Sequence, residues 1–281
     1  MSDHVSTTNF SASWTHIDKT SDPSFYSMLL DATRAQLIAQ IHREPASVFG
    51  PLEVRPGLRV LDVGCGTGDY LRLLAPLVAP GAAVGIDVST TLIDEARHRT
   101  ASADSTRSGG SNVSFQVADA YVLPFPAASF DRVLATQVLL HLEDAWRAVA
   151  EMHRVLAPGG RLSIGEWDWD STCLAVTDRE LGRRFVHGLC DQMRNGLLVR
   201  EVEWRLAEHG FSDIHVTPQV HLSRTMDATF RWLIEPAARA MVDAGALAAG
   251  ERTRLLDDLG ERAATGRYFL ARTYYSIAAT R

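Results

Sequence analysis

The sequence predicts an α/β fold, a parallel sheet with helices packed on both faces, and three observations carry that prediction. Short apolar runs alternate regularly with amphipathic helical segments between residues 58 and 166, the rhythm of strand–helix–strand units. The run Val60-Leu-Asp-Val-Gly-Cys-Gly-Thr-Gly68 reads as a buried strand opening through a glycine turn into a helix, an arrangement that brings backbone close to a nucleotide-like ligand. After residue 170 the rhythm breaks into a long helical stretch, a strand, a second helical stretch and a last strand.

Strand one is predicted over Leu58–Val63, from Leu58, Val60, Leu61 and Val63. Asp69 is read as the cap of a helix that begins near Tyr70 and is limited by Pro76. Strand two is Ala83–Asp87. Helix two covers Thr90–Arg99 with Ser89 as its cap, and the Ser/Gly-rich stretch Ala101–Asn112 is a loop before strand three, Val113–Val117. Phe130–Thr136 is strand four. Its helix starts near Asp144, carries Trp146, Val149, Met152, Val155 and Leu156 on one face, and stops at Pro158-Gly159-Gly160. Arg161–Glu166 is strand five. Residues 171–209 read as helical, 211–222 as a strand, 226–262 as helical and 267–280 as the last strand. Upstream, Asp22-Pro23 announces a helix carried by Phe25, Met28, Leu29 and Leu37, which Pro45 and Pro56-Gly57 close off. Three units follow: an N-terminal helical lid over 1–49, a ligand-binding core over 50–170, and a completing segment over 171–281.

Bulk composition narrows the function. The 281 residues suffice for a full core, and 22% charged with 46% hydrophobic residues is ordinary soluble composition. A net charge of −6 argues against a nucleic-acid partner, which requires a basic surface. Cys65, Cys173 and Cys190 form neither a C-x-x-C pair nor a zinc spacing, so no metal is expected and a reduced compartment fits. The first residues lack a basic region followed by an apolar core, and no uncharged apolar run reaches 18 residues, so the expectation is a cytoplasmic protein without a membrane partner. A monomer or homodimer is expected. The Arg- and Ala-rich composition hints at a GC-rich bacterial genome.

The spacing of the turn discriminates among ligands. A dinucleotide fold asks for G-x-G-x-x-G and a P-loop for a Lys after its last glycine. Here Asp62 precedes Gly64, Gly66 and Gly68, and no Lys follows. A pyrophosphate would be repelled by Asp62 and a cationic ligand would not. Asp87 closes strand two about 20 residues after the turn, where an acid takes two ribose hydroxyls; its other reading is a cap of helix two. This pattern resembles motif I of the class I S-adenosylmethionine (SAM) methyltransferases. The Asp119-Ala120 pair after strand three and the Leu123-Pro124-Phe125 and Phe130-Asp131 stretches resemble the ubiquinone/menaquinone-biosynthesis type of that family. The resemblance covers roughly residues 50–170. It implies a Rossmann-like, seven-stranded, mostly parallel sheet that ends in an antiparallel hairpin, with 226–262 as a helical insertion between the last two strands. It also implies SAM as cofactor, with S-adenosylhomocysteine (SAH) as product. The cofactor residues it implies are Asp62, Gly64, Cys65, Gly66, Gly68, Asp87, Val88, Asp119, Ala120 and Gln137, with Val88 and Leu123 as candidates for the adenine sandwich and Arg34 for the carboxylate of SAM.

The acceptor is a separate question. Ligands in open α/β sheets sit beyond the carboxyl ends of the strands, which nominates Glu166-Trp167-Asp168-Trp169-Asp170: Trp167 and Trp169 as an aromatic wall, Asp168 and Asp170 as bases, with an acidic loop holding core tryptophans as the alternative. Trp14, His16, Asp18, Phe25 and Tyr26 are candidates for a lid, Trp14 and Tyr26 touching the acceptor. Trp232 in the insertion is a further substrate candidate, with Phe230, Glu235, Arg231 and Arg239 beside it. His141 is a base, a substrate ligand or a helix-capping donor. Methyl transfer is an in-line displacement that requires alignment and desolvation, and a base only where the acceptor loses a proton. The expected function is methylation of a small molecule of secondary metabolism, aromatic or nitrogenous, with an indole-type acceptor as one possibility. A quinone-pathway C-methyltransferase and a non-catalytic SAM-binding protein are the rival readings. A nucleic-acid methyltransferase is disfavoured by charge.

Overall fold

A computed structural model describes residues 14–20, 22, 26–31, 50–104, 112–226 and 233–281. Seven strands form one sheet in the order β3-β2-β1-β4-β5-β7-β6: β1 (Val60–Val63), β2 (Ala83–Asp87), β3 (Val113–Val117), β4 (Phe130–Thr136), β5 (Leu156–Leu174), β6 (Ser212–Ser223) and β7 (Leu270–Thr280). The first five are parallel to one another, and β7 runs antiparallel between β5 and β6. The helices are α1 (Asp69–Val78), α2 (Thr90–Asp104), α3 (Ala145–Val155), α4 (Arg179–Asp191), α5 (Val202–Glu208), α6 (Glu235–Asp243) and α7 (Ala249–Ala264). The Rossmann-like sheet, its terminal hairpin and the helical insertion between β6 and β7 are therefore as expected.

Successive strand side chains point to opposite faces, and in the central strands β1 and β4 both faces are buried. Val60 joins a core with α1, α4, α6 and α7, whereas Leu61 and Val63 join the core under α3 and α5. A third, small cluster (Ile17, Tyr26, Leu30 and Leu92) packs the N-terminal segment against α2.

Four local expectations need correction. Gly68, not Asp69, is the cap residue of α1; Asp69 is its first residue, and its carboxylate accepts from the Thr67 hydroxyl (2.8 Å) and pairs with Arg72. Pro76 lies inside α1, which continues to Val78; the proline forfeits the one hydrogen bond its N–H would have given to the Arg72 carbonyl, and the helix ends two residues later. Strand β5 does not stop at Glu166 but runs to Leu174, because β7 pairs with its extension (Trp167 with Tyr274, Asp168 with Thr273, Cys173 with Ala271). Within 171–209 the helices are consequently confined to α4, a short 3-10 turn (Leu198–Arg200) and α5. Ser89 and Asp144 are caps as read: Ser89 Oγ accepts from Leu92 N–H (3.2 Å) and Asp144 Oδ1 from Arg147 N–H (3.0 Å).

Candidate functional site

A cavity of about 460 Å³ opens where β1–β4 end. Gly64 and Gly66 line it after β1, and Asp87, Val88 and Ser89 after β2. Ala118, Asp119, Ala120 and Tyr121 follow β3; Gln137, Val138, His141, Leu142 and Glu143 follow β4. Trp14–Lys19 and Leu30 from the N-terminal segment, and Arg194 from the loop after α4, complete the lining.

The glycine turn makes the floor. Gly64 has φ +69°, and a Cβ there would fall 2.4 Å from the Val138 side chain, so only glycine lets β1 and the turn after β4 approach. The Gly66 N–H donates to Asp87 Oδ2 (2.9 Å), and the Ser89 N–H donates to Oδ1 (3.0 Å). These two bonds fix the orientation of the Asp87 carboxylate at the end of β2. Asp119 Oδ1 accepts from the Tyr121 N–H (2.8 Å).

The N-terminal segment makes the roof. The Asp18 carboxylate accepts from Ser89 Oγ (2.7 Å) and from the Thr90 and Thr91 N–H groups (2.7 and 3.2 Å), so it caps α2 from 71 residues away. Burial pushes its pKa up, but these hydrogen bonds outweigh that and hold it below the usual carboxylate value. Farther along α2, Arg99 binds Asp31 (2.6 and 3.0 Å) and Ser27 (3.0 Å). Trp14 stacks on His141 with ring centroids 5.3 Å apart, and Tyr26 meets Trp14 edge-on at 5.0 Å. Burial pushes the His141 imidazole down to about 3, so the ring is neutral at physiological pH.

Among the candidates read from sequence, Trp14, Gly64, Gly66, Asp87, Val88, Asp119, Ala120, Gln137 and His141 meet around this one cavity. Others do not line it. Asp62 is 1% exposed within β1, so of the three acids in the cofactor pattern Asp87 and Asp119 line the cavity, where Asp18 and Glu143 join them. Cys65 is buried beneath the turn, and Gly68 lies against Phe115, whose ring a Cβ would meet at 2.6 Å. Leu123 is buried in the core under α3, and Tyr26 backs Trp14 instead of lining the wall. Trp167 and Trp169 pack into the opposite core, with Arg272 over their rings at 4.4 and 5.2 Å. Asp168 and Asp170 both bind Arg200 (3.1 and 2.9 Å). The extension of β5 carries all four away from the cavity. Arg34 and Trp232, with Phe25, Phe230 and Arg231, lie outside the described residues. Glu235 and Arg239 fall on α6, Glu235 3.7 Å from Arg252.

Sequence reasoning missed Tyr121, Leu142, Glu143 and Arg194, which lie in loops where no periodicity marks a facing side. It placed Asp18 in a lid without its capping partner, because a cap supplied from 71 residues away leaves no local signature.

The cavity fits SAM. Two carboxylates stand at the ends of β2 and β3, suited to a ribose diol and an exocyclic amine; the apolar Ile86, Val88, Ala118 and Leu142 suit the faces of a base; the glycine turn carries no Lys for a pyrophosphate. Comparison with known proteins agrees. Residues 61–164 match the family model described as a methyltransferase domain. An uncharacterized 37.1 kDa protein in transposon TN4556 of Streptomyces fradiae is 36% identical over 81% of this chain and 64% of its own length. The 27-O-demethylrifamycin SV methyltransferase of Amycolatopsis mediterranei is 39% identical over 42% of each chain. The ubiquinone/menaquinone biosynthesis C-methyltransferase UbiE of Bordetella avium is 37% identical over 49% of this chain and 52% of its own. The chain thus spans less than two thirds of the length of each of these relatives. Among the described residues no helix is long and apolar enough to cross a membrane.

Proposed function

Because the chain carries a class I, SAM-dependent methyltransferase domain, we propose that it methylates a small-molecule acceptor of secondary metabolism, aromatic or nitrogenous, bound against the Trp14–His141 stack. That stack in the cavity wall is the observation that carries the reading, and it fills the role expected of Trp167 and Trp169. An indole-type acceptor remains a concrete candidate, and the rifamycin relative supports a place in secondary metabolism.

When bound, SAM supplies an electrophilic methyl group on a sulfonium. Asp87 would hold the ribose, Asp119 the adenine amine, and Gly64 and Gly66 would admit the cofactor close to the backbone. Trp14 and Ile17 would exclude water and align the acceptor. His141 would take the proton that the acceptor loses, on a ring nitrogen. A neutral ring suits that task twice: one of its nitrogens is basic, and the ring does not repel a cationic cofactor. A low pKa does not disqualify it where a phenol oxygen or an indole carbon is methylated, because the cation formed there is a far stronger acid than imidazolium; a methylated amine is a weaker acid and would need no base at this step.

The test is turnover across indoles, phenols and amines, with His141→Gln beside the wild type. His141→Gln should lower kcat by about 10²–10⁴-fold, the usual worth of a general base, and leave SAH affinity unchanged. The folded-state pKa lies below the ordinary value of 6.5, so the neutral ring persists until the pH falls toward 3. The rate should then show no acid limb between pH 5 and 8; a limb near 6.5 that vanishes in His141→Gln would mark a less buried imidazole, and one that survives the substitution would assign the base to another group. Tight SAH binding without turnover on any acceptor would favour a non-catalytic SAM-binding protein.

A quinone-pathway C-methyltransferase is the second reading. The Leu123-Pro124-Phe125 stretch and the Bordetella relative favour it, and activity on a polyprenylated phenol would decide for it.

A further inference from the structure

The turn after β4 brings Gln137, Val138, His141, Leu142 and Glu143 to the cavity, and its backbone is held from behind by two side chains that do not line that cavity. Glu166, 1% exposed on β5, uses Oε1 to accept from the N–H groups of Val138 (2.9 Å), Leu139 (2.8 Å) and Leu140 (3.4 Å). Asn195, in the loop after α4, serves the carbonyls: its Nδ2 donates to Leu139 O and Leu142 O, both at 2.8 Å, and its own N–H donates to Leu140 O (3.1 Å). Donors of the turn are thus met from one side and acceptors from the other.

Two features here work against stability. Gln137 has φ +57°, a left-handed conformation that a side-chain-bearing residue adopts at a cost. Glu166 Oε2 is buried with no hydrogen-bond partner among the described residues, and a buried polar atom left unmatched is unfavourable. An apolar residue in the place of Glu166 would pack the core without that penalty, but would leave three N–H groups of the turn unmet. Strain and an unmatched polar atom at a single turn bordering a ligand cavity indicate selection for geometry over stability.

We propose that Glu166 and Asn195 are positioning residues, a two-sided clamp that fixes the 137–143 turn and through it the imidazole of His141 against the reacting end of the cavity. The role of His141 rests on the methyl-transfer reading; the clamp itself does not. Burial pushes the Glu166 carboxyl up to about 8, so at neutral pH it carries its proton, and a glutamine there presents the same accepting oxygen.

The experiment is amide hydrogen exchange by NMR on the full chain, with SAH titrated by calorimetry. Glu166→Ala should speed exchange at Val138, Leu139 and Leu140 by about tenfold or more, as expected when their shared acceptor is lost; Asn195→Ala, which leaves that acceptor and strips the Leu139 and Leu142 carbonyls of their donor, should speed it by less and shift the His141 ring resonances. Exchange over Val60–Val63 should stay protected. Glu166→Gln should restore protection of the turn and return the His141 ring resonances to their wild-type positions. Unchanged exchange in Glu166→Ala, equal acceleration throughout the sheet, or a glutamine that rescues nothing would each overturn the clamp. Should Glu166→Ala fail to fold, Glu166→Gln decides alone: wild-type exchange at the turn supports the clamp and lost protection overturns it. Absence of SAH binding by the wild type would defeat the methyltransferase reading while leaving the exchange result intact.

Discussion

Two pairs of aspartates on the same sheet have opposite fates. Asp87 and Asp119 stand where β2 and β3 end and face the cavity; Asp168 and Asp170 lie in β5 and are bound to Arg200. The residue type is the same and both pairs follow apolar strand sequence. What differs is the neighbour. Strands β1–β3 pair only with parallel strands that stop at a common edge, so the acids that end β2 and follow β3 are left facing open space. Strand β5 loses β4 after Gly165 but keeps the antiparallel β7, which carries it on to Leu174. An acid becomes available to a ligand where its strand runs out of partners, and a salt-bridge member where pairing continues.

Substitutions can break or sharpen that contrast. Arg200→Ala should have the largest effect, lowering unfolding free energy by about 2–3 kcal/mol: it strands Asp168, whose side chain is 7% exposed, but the guanidinium is itself 46% exposed, which discounts the loss. Its SAH affinity should remain within about twofold of wild type, a change too small to signal a lost contact; a larger loss would join β5 to the ligand site. Asp87→Ala should do the reverse, weakening SAH binding by about 1–3 kcal/mol with a smaller fall in thermal midpoint than Arg200→Ala. Calorimetry showing undiminished affinity would remove Asp87 from the site. Asp18→Ala should cost about 1 kcal/mol, the value of a helix cap, read as faster proteolysis of the N-terminal segment. Equal cleavage in the presence and absence of Asp18 would mean that the small apolar cluster alone holds the roof.

The same contrast explains what was legible in the sequence. The floor of the cavity was legible because its residues are local in the chain: Asp87 and Asp119 terminate apolar runs, and the glycines follow β1 at a fixed spacing. The alternation Trp167-Asp168-Trp169-Asp170 was misleading because period-two alternation specifies two faces without saying what covers them. What covers them is the helical core of α4, α6 and α7 with Arg272 on the tryptophan side, and Arg200 of a short 3-10 turn on the aspartate side. Glu166 stood in plain view, yet its partners are backbone N–H groups, which carry no residue identity. Gln137 was read as a residue beside the cofactor; its left-handed backbone could not be seen, since such a φ is normally announced by glycine.

Both fastenings of the roof grip α2: Asp18 at its first turn and the Arg99–Asp31 pair farther along. The Arg99–Asp31 pair is at the surface, with side chains 26% and 48% exposed, where mobile ions weaken attraction over a screening length of about 8 Å at physiological ionic strength. The floor contacts of Asp87 are short hydrogen bonds that screening hardly touches. Salt should therefore act on the door more than on the seat: the residence time of bound SAH shortens as ionic strength rises, through faster departure, while its enthalpy of binding changes little.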